Sequence, residues 1–247
     1  MILYVNGDSH SGGCEAMSPD CFLEDNWPHY SKNIDPTLLA IWRDEIKCAP
    51  TPENINVSYG KIVADKLGAE LHCHARAAGS NDRIIRTTRE YLENFTPDLI
   101  IIGWSTWERE EWYNEENNTW YQVNASGTDH VPAKWKDRYK NFVINIDWPK
   151  KIKEAHEKIW ALHQDLKNKN IPHLFFNCHL SLRGIRKYPD SIVKDWGFNY
   201  IHPYSLTFSY GEYLIKQGHD PTKCYHFGPD AHRKWAEFLL PWLTRLL

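Results

Sequence analysis

Met1-Ile-Leu-Tyr-Val-Asn-Gly-Asp-Ser-His10 decides how the chain is read. Ile2 to Val5 is a short apolar run rich in β-formers, and Asn6-Gly7 stops it, so the segment predicts a buried strand ending in a tight turn. Asp8, Ser9 and His10 then sit at the carboxyl end of that strand, where open α/β sheets gather their ligands. A serine in that position becomes a nucleophile if a histidine from elsewhere in the chain reaches it. The plainer alternative is a capped turn in which Asp8 bonds nearby amides.

Working outward, the strongest strand signal is Pro97-Asp-Leu-Ile-Ile-Ile-Gly-Trp104. Its unbroken apolar run predicts burial on both faces, as in a central parallel strand. Two more strands are expected over Glu70–His74 and Ile171–Cys178, and a short one over Asn199–His202. Helices are expected at Ser58–Leu67 with Gly68 as its stop, at Ile84–Phe95 and at Pro149–Asn168. Further helices are expected at Glu212–Lys216 and from Pro229 onward, with a short one near Thr37–Ile46. Strands alternating with helices imply one parallel sheet covered on both sides, in a single domain over 1–247. Two long loop insertions interrupt it, at about 11–52 and 104–148. The second carries Trp104, Trp107, Trp112, Trp120, Trp135 and Trp148 and is expected beside the site, where aromatic faces suit sugar rings or serve as a satellite cluster.

Bulk properties narrow the function. A net charge of −3 implies no electrostatic pull on nucleic acid or on an anionic membrane. No apolar run is long enough to span a bilayer, and no basic leader precedes the first strand, so a cytoplasmic protein is expected. The six cysteines form no CxxC pair, so reduced thiols are expected and a zinc framework is not. His72 and His74 share one face of a strand with Cys73 on the other, which favours a structural role. Neither GxGxxG nor GxxxxGK[ST] occurs, leaving dinucleotide and P-loop readings without support.

Near the other end lies Cys224-Tyr-His-Phe-Gly-Pro-Asp-Ala-His232, just before the last helix. A histidine there can meet a serine that follows the first strand and act as its general base. Arg76-Ala-Ala-Gly-Ser-Asn-Asp-Arg83 places a small-residue loop ahead of a helix start, capped by Ser80, Asn81 or Asp82.

These pieces, in this order, resemble the SGNH (GDSL-like) hydrolases. Gly7-Asp8-Ser9-His10 is similar to the first block of that family, with Ser9 as nucleophile. Ala78-Gly79-Ser80-Asn81-Asp82 resembles the second, whose glycine amide serves the oxyanion hole, which would make Gly79 that donor. Pro97–Gly103 matches the strand leading to the third block. His226-Phe-Gly-Pro-Asp-Ala-His232 resembles the last, which makes His226 the catalytic histidine and His232 the structural one, or the alternative base. The resemblance implies a three-layer, flavodoxin-like α/β fold, no metal or organic cofactor, and ester hydrolysis through an acyl-enzyme. O-acetyl groups on carbohydrates are a common target, and a small-molecule or glycan ester is the expected partner. Compact members with such a Gly-Trp third block are similar to proteins of tailed bacteriophages, which would place the chain in a host cytoplasm or a virion.

The sequence also departs from the family pattern. No asparagine stands directly after Gly103, so Thr106, Arg109 and Asn81 are the candidates for the third oxyanion donor. Lys223 stands where the orienting aspartate is expected, leaving Asp220, Asp230, Asp8 or a backbone carbonyl as candidates. His10, Trp104 and Trp107 are the expected substrate contacts. The alternatives to an esterase are an O-acyltransferase and a catalytically weak glycan-binding or virion-associated module on the same fold.

Overall fold

The computed structural model describes residues 1–17, 50–124, 131–183, 193–222 and 225–247. Four parallel strands build the central sheet: β1 (Ile2–Gly7), β2 (Glu70–Cys73), β3 (Leu99–Trp104) and β6 (His173–Asn177), in the order β2-β1-β3-β6. β1 lies between β2 and β3, with Leu3 beside Leu99 and Gly7 beside Gly103. The chain therefore steps to one side of β1 and then to the other. The crevice at that reversal opens at the carboxyl ends of β1 and β3, which is where such sheets hold their sites.

Alternation along the strands makes the three layers. Leu3, Val5, Leu99, Ile101, Leu174 and Phe176 face one way, against α2 (Tyr59–Leu67) and α7 (Pro229–Thr244) through Tyr59, Val63, Trp235 and Leu239. Tyr4, Ile100, Ile102 and Phe175 face the other, against α3 (Asn81–Asn94) and α5 (Trp148–Asn168) through Ile84, Ile159 and Leu162. Leu99 to Ile102 are completely buried, each contributing about 2–3 kcal/mol of hydrophobic stabilisation. The both-face burial expected from their sequence is what the sheet shows.

Helix ends follow local chemistry. Ser58 caps α2 by accepting from Lys61 N, and Gly68 closes it at φ 62°, a left-handed position that glycine adopts without strain. Ser80 caps α3 through Arg83 N, and Asp147 caps α5 through Lys150 N. One helix was not expected: α1 (Pro52–Val57), begun by Thr51 accepting from Asn54 N, with Pro52 in its first turn. α6 (Tyr210–Lys216) starts two residues before the expected point, at the Ser209 cap. The strand expected over Asn199–His202 reduces to a single bridge between Tyr200 and Phe175. Phe175 N donates to Asn199 O and Ile201 N to Phe175 O, so the pairing is confined to Phe175. The expected helix near Thr37–Ile46 lies outside the described residues.

The aromatic insertion is more ordered than its sequence suggests. It forms an antiparallel hairpin, β4 (Glu110–Asn114) and β5 (Thr119–Val123), then a 3₁₀ turn at Ala133–Trp135 and α4 (Lys136–Ile144). Trp112, Val123, Val131 and Tyr139 make a small core of their own, and the Arg138 guanidinium lies 3.8 Å above the Trp112 ring. Glu111 holds Arg86 of α3 with two hydrogen bonds (2.8 and 2.9 Å), and Gln122 accepts from Ser80 N at 2.8 Å. The hairpin is thus tied to the start of α3. Among the described residues no helix is long and apolar enough to cross a membrane.

Candidate active site

The turn after β1 is built by Asp8. Its backbone carbonyl accepts from Ser11 N and Gly12 N, and its Oδ1 accepts from His10 N at 3.1 Å. The chain coils tightly from there, and Cys14 N donates to Ser9 O. Close packing fixes the turn from below. Gly7 has φ 154°, and a Cβ on it would lie 2.1 Å from Ser11 Oγ. Asn6, completely buried, ties the strand end to α3 through Ile84 O and the hydroxyls of Thr87 and Thr88.

Ser9 emerges on the rim of a pocket of about 540 Å³, lined also by His10, Ala77, Ala78, Arg109, His179, Tyr225, His226 and Phe227. Neither its hydroxyl nor its N–H makes a hydrogen bond among the described residues. His226 reaches the pocket from the loop ahead of α7, and Thr222 holds that loop: Thr222 N donates to His226 O at 2.7 Å, and His226 N donates to Thr222 Oγ1 at 3.1 Å. The sheet therefore brings the two ends of the chain, Ser9 and His226, to one cavity.

Three imidazoles share this cavity. The ring of His10 lies 4.6 Å from that of His179 and 5.1 Å from that of His226. Burial, with His179 beside it, holds His10 well below the ordinary histidine pKa, so it is neutral. His179 was missed from the sequence, although it stands just past the end of β6, where the rule that singled out Ser9 applies equally. Its Nε2 lies 3.1 Å from Asp8 Oδ2. The same oxygen accepts from Ser105 Oγ at 3.0 Å and from Arg109 Nη1 at 3.3 Å. Burial would raise the Asp8 carboxyl, but the His179 hydrogen bond, the imidazoles beside it and the Arg109 guanidinium outweigh it and hold Asp8 well below the usual carboxylate range. Asp8 is an anion paired inside the protein, and it orients His179 rather than His226.

The carboxylate beside His226 is Glu15. Its Oε2 lies 3.1 Å from His226 Nδ1, both side chains are largely buried, and Thr222 Oγ1 donates to the same carboxylate. The Nδ1 contact is within ion-pair range but is not an aligned hydrogen bond. Asp230 does not take part: it is exposed and pairs with Arg233 on α7.

Asp8, His10 and His179 also present three possible metal-ligand atoms within 4.8 Å of one another. The donor set suits a divalent ion poorly. Asp8 Oδ2 is already shared by three donors, one of them a guanidinium at 3.3 Å that would oppose a dication.

Several expected roles are corrected by this geometry. The Gly79 N–H donates to Arg76 O at 3.0 Å within its turn, and Ala77 and Ala78 line the pocket instead. Asn81 bridges α3 to the loop after β3, donating to Ser105 O and Thr106 O and accepting from Ser105 N, so its amide is spent on structure. Thr106 Oγ1 is buried without a hydrogen-bond partner among the described residues and is not on the pocket wall. Trp104 is completely buried in the core, and Trp107 is buried with its Nε1 donating to Ser181 O, so neither contacts a ligand in the pocket. His232 is buried behind the site, where its Nδ1 accepts from Tyr59 N at 3.3 Å; burial and His226 lower its pKa to about 3. A base so placed holds α2 against α7 and does not serve Ser9. Among the described residues, the aromatic insertion contributes Arg109 to the pocket and none of its rings, and Tyr225 and Phe227 line it. His72 bonds Tyr91 at 2.8 Å and lies 3.1 Å from Glu70, as a structural side chain would.

The fold is similar to that of a solved carbohydrate esterase. A carbohydrate esterase family 2 enzyme with a carbohydrate-binding domain, from Corynascus thermopiles (Myceliophthora fergusii), matches 99% of this chain at 14% identity and a TM-score of 0.50. The likeness is one of fold. An acetyl xylan esterase from the rumen bacterium Butyrivibrio proteoclasticus matches 97% of the chain at 14% identity, with a TM-score of 0.39. The chain spans 65% and 64% of the length of these two proteins. Residues 53–150 match the model of a family of unknown function, DUF6071. No curated protein matches the sequence.

Proposed function

We propose that this chain is a serine esterase that removes O-acyl groups, acetyl groups on carbohydrates above all, through an acyl-enzyme on Ser9. One observation carries the reading: an unengaged serine hydroxyl at the sheet's switch point shares a pocket with His226, on a fold shared with carbohydrate esterases. His226 Nδ1 faces Glu15, so Nε2 is the nitrogen left for Ser9. In this reading Ser9 Oγ attacks the ester carbonyl while Nε2 takes its proton. The tetrahedral intermediate collapses, the alcohol leaves with the proton from Nε2, and water then hydrolyses the acyl-serine by the same route. The Ser9 N–H is a donor for the oxyanion. Arg109, on the pocket wall, is the side chain that stands in for the family's missing asparagine. A pocket of about 540 Å³ accommodates a sugar-sized ester. The bacteriophage likeness belongs to the same proposal and rests on the sequence resemblance alone.

The engagement of the Gly79 and Asn81 amides favours a second reading, a binding module with little turnover. Labelling with a fluorophosphonate, read by intact mass and peptide mapping, separates the two. The esterase reading expects an adduct on Ser9 that is lost in Ser9→Ala and His226→Ala and kept in a folded His232→Ala. It also expects acetate release from acetylated xylan or acetylated monosaccharides. A folded wild-type protein that takes no adduct and releases no acetate refutes it in favour of the binding module.

A further inference from the structure

Two histidine–carboxylate pairs face the pocket of one serine: His179 with Asp8, and His226 with Glu15. They differ in what lies against the carboxylate. Asp8 Oδ2 is shared with Arg109 at 3.3 Å and Ser105 at 3.0 Å, so a guanidinium already offsets its charge. Glu15 lies against the histidine that the serine reading requires as base, and Thr222 joins the two. The Thr222 hydroxyl donates to Glu15 and accepts from His226 N, so one side chain sets the acid and the imidazole relative to each other.

The backbone supplies an independent observation. Glu15 sits at φ 60°, in the left-handed region, where the Cβ of a non-glycine residue is strained against the following carbonyl. Gly13, two residues earlier, takes a similar φ of 68° without that strain. A glutamate in such a position keeps strain that glycine would relieve, and strain of this kind gathers where a side chain has work to do.

We propose that Glu15 is the positioning carboxylate of His226, taking the place left by Lys223. This rests on the Ser9–His226 reading above. When Nε2 accepts the serine proton, the charge that forms on the ring is met at Nδ1 by Glu15, and the 3.1 Å contact tightens into a hydrogen bond. The role comes from the coil after β1, at the opposite end of the chain from the histidine it serves.

The test measures 4-nitrophenyl acetate hydrolysis and the rate of Ser9 phosphonylation in wild type, Glu15→Gln, Glu15→Asp and Glu15→Gly. Glu15→Gly also relieves the left-handed strain, so it keeps the test open should Glu15→Gln fail to fold. Loss of kcat by about 10²- to 10⁴-fold in Glu15→Gln and Glu15→Gly is expected, with KM within about threefold of wild type. Glu15→Asp should recover about tenfold or more of that loss, and phosphonylation should slow in parallel. A folded Glu15→Gly or Glu15→Gln with kcat within about threefold of wild type overturns the assignment of Glu15 while Ser9 labelling still stands. Absence of any wild-type adduct or turnover overturns the esterase reading and Glu15's role together.

Discussion

Acid should unfold this protein through a buried histidine pair that lies away from the pocket. His173 Nδ1 is 2.8 Å from Ile171 O, and a carbonyl only accepts, so Nδ1 carries the proton. His173 Nε2 is therefore an acceptor, and His163 Nδ1, 2.8 Å away, must donate to it. That leaves His163 Nε2 bare and buried, with no partner among the described residues. Adding a proton to either ring breaks this chain or buries a charge between Trp160, Trp196 and Phe175. Burial lowers both pKa values to about 4, with His173 adding to the effect on His163 and the Ile171 carbonyl opposing it on His173. The folded values lie below the unfolded one, so the unfolded chain binds more protons. The stability is complete above the unfolded pKa and drains away as pH falls from about 6.5 to about 4. Between about pH 7.5 and about pH 5 each imidazole forfeits about 2 kcal/mol, or about 4 for the pair. Carboxylates such as Asp8, held low in the fold, enter only at lower pH. His10, His156 and His232 are also depressed, so the decisive quantity is the difference from a variant that lacks the pair. His163→Leu/His173→Leu removes both partners together, which is near neutral at neutral pH. Urea unfolding of wild type and variant at the two pH values should show the variant losing about 4 kcal/mol less on acidification. Equal losses would refute the tautomer argument.

Two further perturbations test the floor of the site. Asp8→Asn leaves Arg109 and His179 against a neutral amide; breaking a buried pair in this way should cost about 3–5 kcal/mol in urea unfolding at neutral pH, and a cost under about 1 kcal/mol would show that the network carries little. Gly103→Ala places a Cβ 2.6 Å from Ser11 Oγ, 2.8 Å from Cys178 Sγ and 2.9 Å from Phe176 Cζ. Overpacking should cost about 1–3 kcal/mol by thermal unfolding, and adding Ser11→Ala should recover part of it.

The sheet was legible because its signals are local. Continuous burial of Leu99–Ile102 and the arrest of β1 at Gly7 need no knowledge of the rest of the chain. The hairpin at 110–123 was not legible, because its strands bury aromatics on one small satellite core and leave Tyr113 exposed. Neither aliphatic periodicity nor a Gly turn announces them. Tryptophan content misled for a related reason. Trp104 ends a central strand and Trp107 follows it, positions that suggest ligand contact, yet a ring of that size at a strand end also fills the sheet's own margin, and here it does.

What sequence alone could not pair was acid with base. Local spacing pointed to Asp220 and Asp230 because they neighbour His226 in the chain, but Asp230 lies on the first turn of α7 and reaches Arg233 instead. A parallel sheet gathers its functional side chains from the ends of strands distant in sequence, so nearness along the chain is poor guidance to nearness in the pocket. The informative feature was one of position class. Ser9, Arg109, His179 and His226 all follow the carboxyl ends of sheet strands or precede the closing helix, and Glu15 lies in the coil after β1. On that criterion Glu15 and His179 stand level with Ser9, whereas Asp230 and His232, on a helix that packs behind the sheet, do not. The pocket then separates the two carboxylates by contact, since Asp8 lies against Arg109 and His179 and Glu15 lies against His226.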